Sequence, residues 1–210
     1  MTRRRNPSPG GLAVHPDMLQ AVAESLLTTR PDGPAGRGTV LVGYRAVEEL
    51  ARFAGDPRWS VHVPGHPDEV RHAIGRAVRR GERAYVHLSG GSNAEPRCPT
   101  EGFELVREGF DGVVLAVGAA LDPVLRATAG LDLAVLYAAT VRPFDEVGLR
   151  TAVLAADHAD VVLVEPGLPG LSARHVAETL VHVPHRLLPL GGADGLDEDV
   201  LARAVRDFLR

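Results

Sequence analysis

Tyr44 and Arg45 stand side by side at the end of the apolar run Val40-Leu41-Val42, and Glu48 follows one helical turn later. A phenol donates a hydrogen bond but, with a pKa of about 10, accepts protons poorly at neutral pH, whereas a guanidinium can grip a phosphate through paired N–H groups. Placed where a strand gives way to a helix, Tyr44, Arg45 and Glu48 form a candidate substrate-binding group. No residue is assigned a catalytic proton transfer. The competing reading is structural: the pair starts a helix, and Glu48 is an exposed position on it.

The other reactive residue types narrow the chemistry further. All 23 basic residues are arginine, which excludes a lysine Schiff base, a lysine general base and the lysine of a phosphate-binding P-loop. Of nine histidines, His62, His66, His72 and His87 fall in one stretch. His62 and His66 flank a Pro-Gly turn, and no pair shows His-x-x-x-His spacing on a helix, so no metal ligand is assigned. Cys98 is the single cysteine, which rules out a disulfide framework or a CxxC motif and fits a reducing cytoplasm. Ser89 near His87 lacks the Gly-x-Ser-x-Gly elbow of a hydrolase. His182 and His185 fall at the edge of a late strand, where a structural role is expected.

Glu165 closes an apolar run at the strand end where open α/β sheets place ligands. After it, "GLPGLSARH" has Gly-x-x-Gly at a helix start, which could act as a bare backbone anion site. Ser172 reads as the helix N-cap.

These residues need a scaffold, and the composition supplies one. A chain of 210 residues with 45% hydrophobic content can bury a core as one large domain or two small ones. A net charge of -4 and 4% aromatic content give neither a basic face for phosphate backbones nor aromatics for base stacking, so nucleic acid is not an expected partner. No apolar h-region follows "MTRRRNPSPGG", and no apolar stretch approaches a membrane span. A cytoplasmic protein without membrane contact is expected.

Residues 1–36 read as a disordered tail and a partial helix, with Met18, Leu19, Val22, Leu26 and Leu27 at helical spacing before "TTRPDGPAGRG" breaks the pattern. Residues 37–92 alternate strand "TVLVG", helix "AVEELARFA", strand "WSVHVP", a helix from about Pro67 to Arg79, and strand "AYVHLS". Pro67, Asp68 and Glu69 suit the first turn of that helix, where proline is tolerated and negative charge meets the helix dipole. Residues 93–103, in a Gly- and Pro-rich stretch, read as a linker. Residues 104–210 alternate again through strands "GVVLAVG", "DLAVLYAAT", "DVVLVEP" and "HRLLPLG", with helices over 122–128, 145–155, 172–180 and 197–209. Such alternation predicts an α/β fold with parallel, helix-covered sheets, and continuous Val/Leu/Ala strands fit burial on both faces.

Three stretches of the second unit, "DGVVLAVGAALDPVLRA", "VLYAATVRPFDEVGLRTA" and "ADVVLVEPGLPGLSARHVAETL", resemble in order the C-terminal domain of transketolase and its relatives, including deoxyxylulose phosphate synthase. "GYRAVEELARFAGDPRWSVHVPGHPDEVRHAIGRAVRRGERAYVHLSGG" resembles the second half of that family's pyrimidine-binding domain. The resemblance implies an α/β chain made of a truncated transketolase pyrimidine-domain-like unit followed by a C-terminal-domain-like sheet. It places Gly43-Tyr44-Arg45 where the family has Thr-His-Gln, so Tyr44 stands in for a substrate-contacting His; Glu48 matches an acidic position of the family helix. Gly90 stands where transketolases carry a phosphate-binding Arg.

By resemblance, the cofactors would be thiamine diphosphate and Mg²⁺. The diphosphate-binding domain has no counterpart in the sequence, and neither does the first half of the pyrimidine-binding domain, with the family's ylid-activating Glu. The resemblance therefore implies the C-terminal half of a two-carbon ketol transferase. A diphosphate-binding transketolase-like subunit would be its partner, in a homodimer or heteromer. The alternative is a non-catalytic family remnant acting as an assembly or small-ligand-binding module.

Overall fold

The computed structural model describes residues 14–28, 38–44, 47–97, 102–167, 169–192 and 197–210. The N-terminal tail, most of the Pro/Gly stretch before Val40, Arg45 and Cys98 lie outside the described residues.

The first unit comprises α1 (Pro16–Thr28), β1 (Thr39–Tyr44), α2 (Val47–Ala54), β2 (Ser60–His62), α3 (Pro67–Arg80) and β3 (Arg83–Leu88). α3 begins as expected, with Pro67 in its first turn and Asp68 and Glu69 beside it; the His66 ring accepts the Asp68 N–H at 3.1 Å. That side-chain acceptor satisfies one of the amides a helix start leaves unpaired.

The second unit comprises β4 (Glu104–Arg107), β5 (Val113–Val117), α4 (Leu121–Ala127), β6 (Ala134–Ala138), β7 (Thr140–Arg142), α5 (Glu146–Ala155), β8 (Asp160–Pro166), α6 (Ala173–Thr179), β9 (Arg186–Gly192) and α7 (Glu198–Phe208). The protein is α/β, as the strand and helix alternation predicts. One sheet runs β1-β3-β2-β7 and the other β4-β6-β5-β8-β9.

Two details depart from the sequence reading. The run expected as one strand, "DLAVLYAAT", is two. β6 pairs in parallel with β5, and after Ala139 the chain crosses to the other sheet, where β7 pairs antiparallel with β2. The short strand β4, which carries no apolar run to announce it, pairs antiparallel with β6.

Period-two alternation divides the second sheet cleanly. Val113, Leu115, Val117, Val161 and Leu163 face one core, while Val114, Ala116, Val162 and Val164 face another that α4 and α7 cover. The first of these cores also takes in Leu50, Val61, Val63 and Tyr85 of the first unit. A third core lies between α1, α3 and the first sheet, around Met18, Ala21, Val70, Ile74 and Val86. Complete burial of each Val or Leu is worth about 1.5–3 kcal/mol, and these shared layers hold the two units together.

Candidate functional site

Tyr44 ends β1 beside Leu88 of β3. Its ring packs against the core formed by α1, α3 and β3, and its hydroxyl is enclosed. Glu48, on the first turn of α2, is exposed. The two side chains therefore take different directions from one turn, and Arg45 between them lies outside the described residues.

Two histidines sit near the carboxyl ends of the neighbouring strands. Buried His62 on β2 places Nδ1 2.9 Å from Thr140 Oγ1. Burial, helped by Arg76 and His72, pushes its pKa down to about 4. His87 on β3 is pushed down to about 4 by burial alone, and its Nδ1 lies 3.5 Å from the Tyr85 hydroxyl. Both rings are neutral at pH 7 and serve as hydrogen-bonding groups, since a buried site disfavours the cation.

A polar seam joins the two units where β2 meets β7. The Val63 N–H donates to Ala139 O at 2.8 Å. Buried Glu69 accepts from the Tyr137 hydroxyl at 2.5 Å, the Gly65 N–H at 2.8 Å and the Arg97 N–H at 3.0 Å. Burial, reinforced by the Glu69 charge, pushes the Tyr137 phenol well above its ordinary range. Asn93 adds a second clasp: its N–H donates to Gly65 O at 2.7 Å and its Nδ2 to Gly118 O at 3.1 Å. Gly118 is obligatory, because it holds φ +57° and a Cβ there would stand 2.6 Å from Val63 O. Sequence reasoning gave Glu69 only a helix-dipole role and missed Tyr137 and Asn93. No local pattern marks contacts spanning 25 to 72 residues.

A cavity of about 40 Å³ opens on this seam, lined by His62, Glu69, His72, Arg76, Arg97 and Tyr137 among others. It is far below the roughly 300 Å³ at which small-molecule sites begin. The seam positions the strand ends and does not itself hold a sugar.

The anion site anticipated at Gly-x-x-Gly is filled from within. Glu165, 1% exposed at the end of β8, accepts the Ser172 N–H at 3.1 Å, and the backbone of Gly170 and Leu171 and the Ser172 hydroxyl lie beside its carboxyl group. Ser172 holds the N-cap position of α6, yet makes no side-chain cap bond. Burial nonetheless wins over these donors and raises the Glu165 pKa to about 7.

β1 forms one edge of its sheet, with β3 as its one strand partner among the described residues. Leu41 is 41% and Val42 39% exposed. Adjacent strand residues point to opposite faces, so each face of this edge keeps one part-exposed apolar side chain. α1 is likewise open on one side, with Leu19, Leu26 and Leu27 exposed.

Comparison with known proteins agrees with this architecture. Among solved structures, a split-gene transketolase described as an "inactive beta4 tetramer" superposes with a TM-score of 0.64 at 22% identity, covering 81% of this chain and 64% of that one. The chain has a transketolase-like fold. No family model matches it. The chain is 46% identical to an uncharacterized 33.6 kDa protein in the fasciation locus of Rhodococcoides fascians, over 73% of this chain and 54% of that protein. It is 29% identical to 1-deoxy-D-xylulose-5-phosphate synthase 1 of Geobacter metallireducens, over 54% of this chain and 19% of the synthase. The chain thus spans about half the length of the first relative and a fifth of the second. No helix among the described residues is long and apolar enough to cross a membrane.

Proposed function

We propose that this chain is the C-terminal half of a transketolase-family, thiamine-diphosphate-dependent ketol transferase, completed by a partner subunit that carries a diphosphate-binding domain. The observation that carries this reading is the open edge of β1: the strand that delivers Tyr44 has Leu41 and Val42 exposed beside an outer edge with no strand partner among the described residues, in a transketolase-like fold. An exposed apolar sheet edge is a ready template for another chain, and the candidate site lies at its end.

The residues present do not fit the cofactor by themselves. Among the described residues no three His, Cys, Asp or Glu side chains converge, and His62 and His87 are buried and neutral. Thiamine diphosphate and Mg²⁺ therefore belong to the partner in this reading, and no chemical step is assigned to this chain. Its own contribution is Tyr44, Arg45 and Glu48 along the substrate channel, on a scaffold that assembles as a homodimer or heteromer.

Isothermal titration of thiamine diphosphate with Mg²⁺, into the chain alone and into its mixture with a diphosphate-binding subunit, tests the reading. Binding in the mixture alone, with ketol transfer from a sugar phosphate donor, is the expected result. Absence of binding in both leaves the second reading, a non-catalytic assembly or small-ligand-binding module. The enclosure of the Tyr44 hydroxyl against α1 and α3 favours that alternative.

A further inference from the structure

A groove of about 630 Å³ lies between the two units at the amino ends of β2 and β3, lined by Trp59, Ser60, Arg83, Arg142, Phe144 and His175 among others. Its volume falls within the range of small-molecule sites. Arg83 pairs with Thr39 at the start of β1, so the groove sits at the opposite end of the first sheet from Tyr44, about 16 Å along the strand.

Strand register brings two cations to this groove. β2 runs between β3 and β7, so Arg83 and Arg142 stand two strand spacings apart, about 10 Å. Val61 pairs with Tyr85 on one side and Arg142 on the other, and Arg83 is two residues before Tyr85. Period two therefore turns both arginines to the face on which Phe53 of α2 stacks over Tyr85. Among the described residues Arg83 forms no ion pair, and Arg142 gives one N–H to a neutral group, the Ala54 carbonyl, at 3.0 Å. The neighbouring acids Asp56 and Glu82 are engaged elsewhere: Asp56 takes two N–H groups of Arg58 at 2.9 and 2.7 Å, and Glu82 pairs with Arg80 at 3.7 Å. In all, Arg58, Arg76, Arg83 and Arg142 face Glu82 and Glu146 across the lining. That balance favours an anionic ligand, and a guanidinium suits phosphate through paired N–H groups.

The walls between the cations are aromatic. Trp59 is half-buried and backed by Phe53 at a centroid distance of 4.7 Å; Phe144 is backed by Phe103 at 5.1 Å and by His175 at 5.4 Å. Rings held from behind offer a fixed stacking surface to a flat group.

We propose that this groove binds a nucleoside phosphate, its phosphate held between Arg83 and Arg142 and its base laid against Trp59. A single nucleotide suits a recess of this size, and a net charge of -4 gives a nucleic-acid strand no track beyond it.

Equilibrium dialysis of adenosine monophosphate against the full chain tests this with neither partner nor thiamine diphosphate present, so its failure is distinct from a failure of the proposed function. Trp59 is the single tryptophan, so its emission reports on the groove. Saturable binding with a change in Trp59 emission is expected. Inorganic phosphate and adenosine, each carrying one half of the ligand, are expected to bind about tenfold more weakly or worse. Arg83→Glu, at an exposed strand start, and Arg142→Gln should each weaken binding by about tenfold or more. Absence of saturable binding, binding that leaves Trp59 emission unchanged, phosphate or adenosine binding as tightly as the nucleotide, or native affinity in Arg83→Glu each overturns the proposal. Should Arg142→Gln fail to fold, Arg83→Glu decides, because its side chain is exposed.

Discussion

β8 and β1 are both short runs rich in Val and Leu, and both feed a turn that carries a candidate functional residue. From Asp160 to Glu165 every residue of β8 is buried, whereas Thr39, Leu41 and Val42 of β1 are exposed. β8 lies between β5 and β9 with a helical layer on each face; β1 has β3 on one side. The same residue pattern thus ends in two environments, and the number of neighbours decides which. A strand written for burial but only half covered is an unfinished surface, and in this chain the unfinished surface leads directly to Tyr44.

The sharpest way to break the comparison is to truncate one residue in each strand. Leu163 is fully buried in the core shared by both units, so Leu163→Ala should lose about 3–4 kcal/mol of stability in urea denaturation, the cost of lost transfer energy plus a cavity. Leu41→Ala should lose less than about 1 kcal/mol in the same assay, because the side chain keeps much of its contact with water in the native state. Comparable losses at the two positions would mean that the β1 edge is covered in solution.

A smaller effect is expected at the seam. Tyr137→Phe removes the phenol that donates to Glu69 at 2.5 Å and accepts from Gly65 at 3.2 Å. It leaves a buried carboxylate one donor short, so a loss of about 2 kcal/mol is expected in thermal or chemical unfolding. A neutral result would show that the β2–β7 pairing and the shared core hold the units together without Glu69.

The contrast also explains what could be read from the sequence. Apolar runs such as Val161–Val164 and breaks such as Gly81 and Pro57 mark elements because strand burial and turn geometry are local properties. The crossing of β6 into β7 escaped because Ala139 and Thr140 carry no turn signal, and the pairing that draws β7 away lies some eighty residues back, on β2. Glu165 and the Gly-x-x-Gly loop were both visible as candidates, but not the fact that one fills the other; that contact depends on a reversal at Gly170 that identity alone does not specify. Glu69 with Tyr137 was least legible, since two polar residues on different elements become partners only when the sheets meet.

The smallest expected effect on stability belongs to Leu41→Glu, and it separates an open edge from a functional one. At an exposed strand position a charge should change the unfolding free energy by no more than about 0.5 kcal/mol. If β1 receives a partner chain, the same charge must be desolvated on assembly without a counter-ion, which at the centre of an interface costs 2 kcal/mol or more and weakens association by roughly thirtyfold or more. Sedimentation of the chain with a diphosphate-binding subunit should therefore show normal folding and lost assembly. An assembly that tolerates Leu41→Glu would place the partner on another face, and the exposed α1 residues Leu19, Leu26 and Leu27 would then be the surface to alter, because among the described residues they are the other large apolar side chains that the first unit leaves open.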